Sequence, residues 1–503
     1  MPGNYDLSEL RRQTALSDDI LETIKETTSL TLECWSKLTC LPDKINLLQN
    51  LEIIKAVYCS NLSHLPDTLS ELKKLTHLQF NSCHSLQRIP DSVGQLVVLH
   101  TLDLTGCVNL KCLPDSLKYL RSLEELTCHD CHMLQYLPES LGELPALKIL
   151  NCGTCGYLAR LPESLGCLKQ LVKLQLDSCI RLTSLPESIG QLTALKILIC
   201  NLCGGLRNLP DSIGMLESLE YLDLRGCSQP HLPPSIGRLT ALHRLELGNN
   251  TELTSLPDTW QSSRLQVLNL ESCLSLTALP ESLGRLNNLQ KLITNECPFY
   301  DLPNSLAQLT ELQTFCSTMG KFVTPLVVPG GTALETLDLS YCDKLCRLPS
   351  LDRLVSLKKL RLDYCESLTC LPDSLGQLFA LRELSLICCK SLTSLPDSIG
   401  NLPSLRILDV HRSRISELPR ALMRALVLEK IIGVYDSSHK FVADPNGSLI
   451  IINPNYIKSC RFATPAATLL ALIVSCRRLR RKRQIRCRNL PPELYKFVFD
   501  EFV

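Results

Sequence analysis

The chain has 503 residues, 45% of them hydrophobic and 20% charged, with 52 Lys/Arg against 51 Asp/Glu and a formal net charge of +1. That balance excludes an intrinsically disordered chain. A globular protein of this length divides into domains because a single core stops growing, whereas a core built by repetition grows along one dimension.

Residues 1–27 are polar and helix-prone, with Leu10, Ile20, Leu21 and Ile24 available to cover a first repeat, and read as an N-terminal helical cap. A Leu-Pro beat then begins. Leu41-Pro42, Leu65-Pro66, Ile89-Pro90 and Leu113-Pro114 through Leu209-Pro210 each fall 24 residues after the last. Intervals of 23 or 24 continue to Leu418-Pro419, with one double interval around Pro325. About seventeen units result over residues 28–432, one of them degenerate near 312–333. A fixed Leu-rich period of 20 to 29 residues is the signature of a leucine-rich-repeat solenoid. The fold class expected is therefore α/β, an arc with a parallel sheet on its concave face and short 3₁₀ or α segments on its convex face.

The unit from Leu171 to Leu192 shows the layout. Leu174 and Leu176 share one side of a short strand, while Lys173, Gln175 and Asp177 take the other. Cys179 turns inward, where a thiol packs as a small apolar group and serves backbone as a weak hydrogen-bonding partner. Pro186 sets φ for a turn, and Glu187 and Ser188 suit the start of a short helix that turns Ile189 and Leu192 inward.

Thirteen of the 27 cysteines sit at the position of Cys179 in successive units, from Cys59 and Cys83 through Cys365 and Cys389. They form a ladder in which every thiol has two equivalent neighbours, which argues for reduced thiols over a disulfide framework. With no apolar leader at the start, such a cysteine load points to a reducing compartment and a cytoplasmic protein. Cys152 with Cys155 and Cys200 with Cys203 are strand and ladder positions, not zinc pairs, so neither metal nor cofactor is expected.

The pattern Leu-x-x-Leu-x-Leu-x-x-Cys-x-x-Leu-x-x-Leu-Pro-(Asp/Glu)-Ser-(Ile/Leu)-Gly resembles the repeats of plant intracellular immune receptors of the nucleotide-binding class. The 23-residue units, such as Leu405 through Pro419, are similar to Ras-group repeat proteins. The resemblance covers about four fifths of the chain and implies protein recognition. No Gly-x-x-x-x-Gly-Lys-Ser/Thr motif accompanies it, and the Gly-x-Ile-Pro of extracellular plant repeats is absent.

Outward strand positions would make the binding wall. Asp103, Asp177, Asp223, Glu246, Glu271, Asp338, Asp363 and Asp409 give eight carboxylates there against Lys55, Arg225 and Arg361. That lean favours a basic protein partner and disfavours nucleic acid on this face. The plainer alternative for each residue is a solvated position on a half-exposed sheet. Tyr58, Tyr341 and Tyr364 lie beside the ladder, the last two at the same place in adjacent units; they either anchor a partner or pack over the coil edge. The recurrent Ser of Pro-(Asp/Glu)-Ser reads as a cap and not a nucleophile, so no active site is assigned and the chain is expected to act as a monomeric, non-catalytic scaffold.

Residues 433–503 form a different C-terminal region. Leu449 to Ile452 reads as a strand after the turn at Asp444-Pro445-Asn446-Gly447. Phe462 to Cys476 is an uncharged, largely apolar run followed by eight Arg/Lys within residues 477–488. A helix packed near the last unit fits it better than a membrane span, which needs roughly 20 residues. The cluster Arg477–Arg488 reads as a nuclear address, the alternative to a cytoplasmic location, as a contact to acidic lipid or nucleic acid, or as a solvated helix. The closing Leu490-Pro491-Pro492-Glu493-Leu494 with Phe497 and Val498 resembles the opening of an F-box and, taken with Leu472 and Cys476, a SOCS-box tail. Either would recruit a ubiquitin-ligase scaffold through an amphipathic helix and make the chain a substrate receptor; the alternative is a capping helix.

Overall fold

The computed structural model describes residues 13–260, 264–322, 326–415, 418–419 and 421–422, together with the backbone of Lys430–Ile432, Phe441–Ala443 and Leu449–Ile451. The degenerate point at Pro325, the apolar run 462–476, the basic cluster 477–488 and all seven tail positions, Leu472, Cys476, Leu490, Pro491, Leu494, Phe497 and Val498, lie outside the described residues.

Each coil is built as its side chains dictate. In the coil of Lys173–Gln175, Leu174 and Leu176 are fully buried while Lys173, Gln175 and Asp177 face outward. Ser178 then adopts a left-handed conformation at φ 58, which turns Cys179 into the core. Pro186, at φ −67 and ψ 150, lacks a donor and opens the five-residue 3₁₀ turn Glu187–Gln191. The turn is closed by the Ile189 N–H on the Pro186 carbonyl at 3.0 Å, and Ile189 and Leu192 are buried beneath it.

Twenty-four residues on, the next strand repeats the placement in register, with Lys173 beside Ile197, Leu174 beside Leu198 and Gln175 beside Ile199. Leucine thus packs on leucine along the core, a stacking that makes each coil depend on its neighbours. The chain divides into two compact units, one of residues 1–321 with 326–334, the other of residues 322–325 with 335–503. The boundary falls in the double interval of the Leu-Pro beat. The first unit carries thirteen parallel strands, from Ser29–Glu33 to Thr314–Cys316, preceded by the short helix Asp18–Thr23 with Leu16, Leu21 and Ile24 buried. In the second unit the parallel strands Thr336–Asp338, Lys359–Arg361, Glu383–Ser385, Ile407–Asp409 and Lys430–Ile432 are followed by the antiparallel pair Phe441–Ala443 and Leu449–Ile451.

The cysteine ladder has a hydrogen-bonding logic. Cys179 Sγ donates to the Cys152 carbonyl at 3.1 Å, Cys203 to Leu176 at 3.0 Å and Cys107 to Phe80 at 3.0 Å, each satisfying the carbonyl of a residue 27 positions earlier. Burial, with the Cys203 thiol beside it, pushes Cys227 up to about 12, so it stays an S–H donor. Asn250 takes one ladder position and donates through Nδ2 to the Leu224 and Leu247 carbonyls at 2.9 and 2.7 Å.

On the turn face the expectation for serine is corrected. The 3₁₀ turns carry no side-chain cap, and the Ser188 hydroxyl is buried without a partner. Serine instead packs against the glycine of the preceding coil: a Cβ added at Gly166 would lie 2.4 Å from the Ser188 carbonyl oxygen and 2.7 Å from its Cβ. Capping comes from that preceding coil as well. Glu163 Oε2 accepts the Ser188 N–H at 3.3 Å, and Glu281 Oε2 accepts the Ser305 N–H at 3.0 Å. A carboxylate at the first position of a turn in one coil thus accepts from a free donor in the next.

Candidate functional site

Two outward strand positions and one just past the strand end tile the face opposite the 3₁₀ turns in each coil, and a strand of three residues leaves an N–H beyond its end to satisfy. The residue at the third strand position supplies the acceptor. Asp103 Oδ1 takes the Thr105 N–H, Asn151 Oδ1 the Gly153 N–H, Asp223 Oδ1 the Arg225 N–H, Asn269 Oδ1 the Glu271 N–H, Asp338 Oδ1 the Ser340 N–H and Asp409 Oδ1 the His411 N–H, all at 3.0–3.1 Å. These are Asx-type turns, so Asp and Asn recur there for a local backbone reason.

Several of the carboxylates are also spoken for by side chains. Asp223, with its side chain only 2% exposed, holds Arg225 through two charge-assisted bonds at 2.9 and 2.7 Å and accepts from the Tyr221 hydroxyl at 3.3 Å. The Asp223 carboxylate holds the Arg225 guanidinium above its ordinary pKa, while burial and then Asp223 push Tyr221 up. Glu246, equally buried, is bonded by Arg244 Nε at 2.5 Å and Asn269 Nδ2 at 2.8 Å, and the Arg244 guanidinium lies 6.0 Å from the centre of the Tyr221 ring. Asp177 accepts from Gln175 at 2.7 Å and leans over Gly153, where an added Cβ would lie 2.4 Å from Asp177 Oδ1 and 2.7 Å from His129 Nδ1. Glu271 is exposed.

In the second unit Arg361 pairs with Glu383 at 3.0 Å, joined by Lys359 at 3.4 Å. Burial alone would raise Glu383, yet the two cations hold it below the usual carboxylate range. Asp363 accepts from the Ser385 hydroxyl at 2.5 Å and the Ile387 N–H at 3.0 Å. Tyr341 and Tyr364 stack face to face, with ring centres 4.5 Å apart and planes 5° from parallel. Asp338 and Asp409 sit as strand-end acceptors.

Two features of the face escape a reading of its polar residues. The first strand position adds Lys173, Arg244, Lys291 and Lys359 against Glu125 and Glu383, which moderates the acidic lean. More important, β-branched apolar residues stand outward and half-exposed at Ile149, Ile197, Ile199, Val267 and Ile293. In the coil of Ile197–Ile199 both outward strand positions are apolar, and the row runs on to Leu202, 57% exposed. Gly226, at φ 67, makes room for that row: a Cβ there would lie 2.8 Å from Leu202 Cδ2. The signal was present in the sequence as isoleucine at positions that the core does not require.

Among the described residues no group of three or more His, Cys, Asp or Glu is arranged to hold a metal, and no helix is long and apolar enough to cross a membrane.

Coils that each give one strand to a parallel sheet, most of them with a 3₁₀ turn on the other side, define a leucine-rich-repeat solenoid, a scaffold that presents a tiled face. No protein-family model matches the chain, and no curated protein matches it by sequence. Solved structures do. A leucine-rich-repeat protein of Leptospira interrogans is 24% identical over 83% of this chain and 93% of that one, with a TM-score of 0.53. A TDR receptor is 22% identical over 85% and 77%, with a TM-score of 0.57. The Toll–Spätzle complex of Drosophila matches at 17% identity over 84% and 52%, with a TM-score of 0.52. At these identities the likeness is one of fold.

Proposed function

We propose that the chain is a non-catalytic protein-recognition scaffold that holds a partner against the strand face of its first unit. The observation that carries this reading is the apolar row Ile197, Ile199 and Leu202, bordered on one side by Lys173, Gln175 and Asp177 and on the other by the Asp223–Arg225 pair. An apolar centre rimmed by fixed polar groups is the anatomy of a protein interface. Solenoid neighbours include a receptor and Toll in complex with Spätzle, which accords with this use of the fold. Basic groups on the partner would meet Asp177 and Glu271, and apolar side chains would meet the row. We place this recognition in intracellular immune or signalling assemblies, as the resemblance of the Leu-Pro-(Asp/Glu)-Ser-(Ile/Leu)-Gly units implies.

The test is quantitative affinity capture with the intact chain and with I197E/I199E, after thermal unfolding shows both folded. Loss of specific partners by about tenfold or more from the double variant is expected for a central apolar anchor. Equal capture of every partner would move the site off this face.

A further inference from the structure

We propose that Tyr341 and Tyr364 are an oxidative cross-linking site, at which a haem peroxidase acting with hydrogen peroxide joins two adjacent coils of the second unit through a dityrosine bond. The rings are stacked at 4.5 Å and 5°, and Tyr341 is 50% exposed. Their spacing is fixed by backbone and not by the rings alone. Both residues occupy left-handed positions, at φ 62 and 59, and the Tyr341 N–H is bonded to the Asp363 carbonyl at 2.6 Å, as the Tyr364 N–H is to that of Ile387 at 2.6 Å. Among the described residues no other two tyrosine rings are stacked, although Tyr58, Tyr119, Tyr136, Tyr157 and Tyr300 are exposed.

The chemistry balances with one equivalent of peroxide. Each phenol gives up one electron and one proton, leaving two phenoxyl radicals whose unpaired density reaches the ring carbons ortho to oxygen. Those two carbons form a C–C bond, and the hydrogen displaced from each returns to its own oxygen, restoring both phenols. The two electrons and two protons reduce the peroxide to two waters. Held in contact, the radicals couple within one chain instead of by encounter between chains, the advantage that proximity gives any two-centre reaction. The proposal rests on ring geometry and is independent of the recognition reading.

The experiment treats the full chain with horseradish-type peroxidase and peroxide, then separates monomer and digests it with trypsin. Cleavage after Lys321, Lys344, Arg361 and Arg382 puts the two tyrosines on different peptides, 322–344 and 362–382. The expected product is these two peptides joined, two hydrogens lighter than their sum, with blue dityrosine fluorescence in the monomer. Y341F and Y364F keep the stacked rings and remove one phenol each; both variants are expected to lose the joined peptide. Oxidation of the other tyrosines with no joined peptide, or joined peptides that survive either substitution, would overturn the proposal.

Discussion

The guanidinium of Arg225 closes on the carboxylate of Asp223 two residues upstream, Nε to Oδ1 at 2.9 Å and Nη2 to Oδ2 at 2.7 Å, so that a charged pair forms within one strand turn of one coil. The acid is 2% exposed and the base 43%, which leaves the cationic edge as the part a partner can meet. R225A is expected to cost about 2 kcal/mol, because it strands a buried carboxylate beside a partly solvated gap. D223N is expected to cost only about 1 kcal/mol, since the amide oxygen still accepts the Arg225 N–H. Urea unfolding of the two variants measures both; an R225A midpoint equal to that of the parent chain would show the pair to be idle.

The turn face contributes to acid stability. The Ser305 N–H at 3.0 Å, with that of Asn304 at 3.3 Å, holds Glu281 below the ordinary carboxylate value, and the Ser282 N–H at 3.2 Å does the same for Asp258. A depressed folded value means stability that is present above the unfolded pKa, roughly 4, and lost as pH falls through the folded one. The thermal midpoint is therefore expected to be level from neutral pH down to about 5 and to fall below about 4. E281Q is expected to flatten part of that fall, and an unchanged slope would remove the carboxylate from this role.

Asn250 tests the hydrogen-bonding account of the ladder. It is buried and donates to two carbonyls. N250A is expected to destabilise by about 2 kcal/mol, removing the Asn250 donor from the Leu224 carbonyl and leaving the Leu247 carbonyl with the Cys273 thiol at 3.3 Å. N250C restores one donor of the kind used in neighbouring coils and is expected to cost less than N250A. Equal losses in denaturant melts would mean that volume alone matters at this position.

Two glycines separate backbone from side-chain crowding. A Cβ at Gly190 would meet the Ser212 carbonyl oxygen at 2.5 Å, whereas one at Gly153 would meet the movable ends of Asp177 and His129. G190A is expected to cost about 1–3 kcal/mol and G153A less than that, by the same melts. The reverse order would contradict the serine–glycine packing.

The architecture was legible because it follows from volume and period. Leu174 and Leu176 two residues apart, Cys179 three further on and Pro186 after Leu185 leave one way to close a coil, and the observed coil closes that way. The site was legible only in part. That Tyr341 and Tyr364 occupy equivalent places already implied neighbouring rings. That Asp223 and Asp338 turn back on the N–H two residues ahead was not legible, because an outward Asp has the same spacing whether it faces solvent or caps its own strand. Polar residues also drew attention away from Ile197 and Ile199, whose outward placement is informative because packing does not demand them. The packing role of Ser188 was not legible for a related reason: serine at the start of a helix caps it when its own side chain reaches the free donors, and here Glu163 of the preceding coil has taken that place.

The most direct measurement replaces Ile199 on the strand face, and separately Gln191 on the turn face, with a photo-cross-linking residue in the full chain, and compares the adducts formed in cells. Recognition by the strand face gives discrete protein adducts from position 199 that are lost when I197E is added, with none of the same mass from position 191. Adducts from position 191 alone, or the same adducts from both positions, would contradict it.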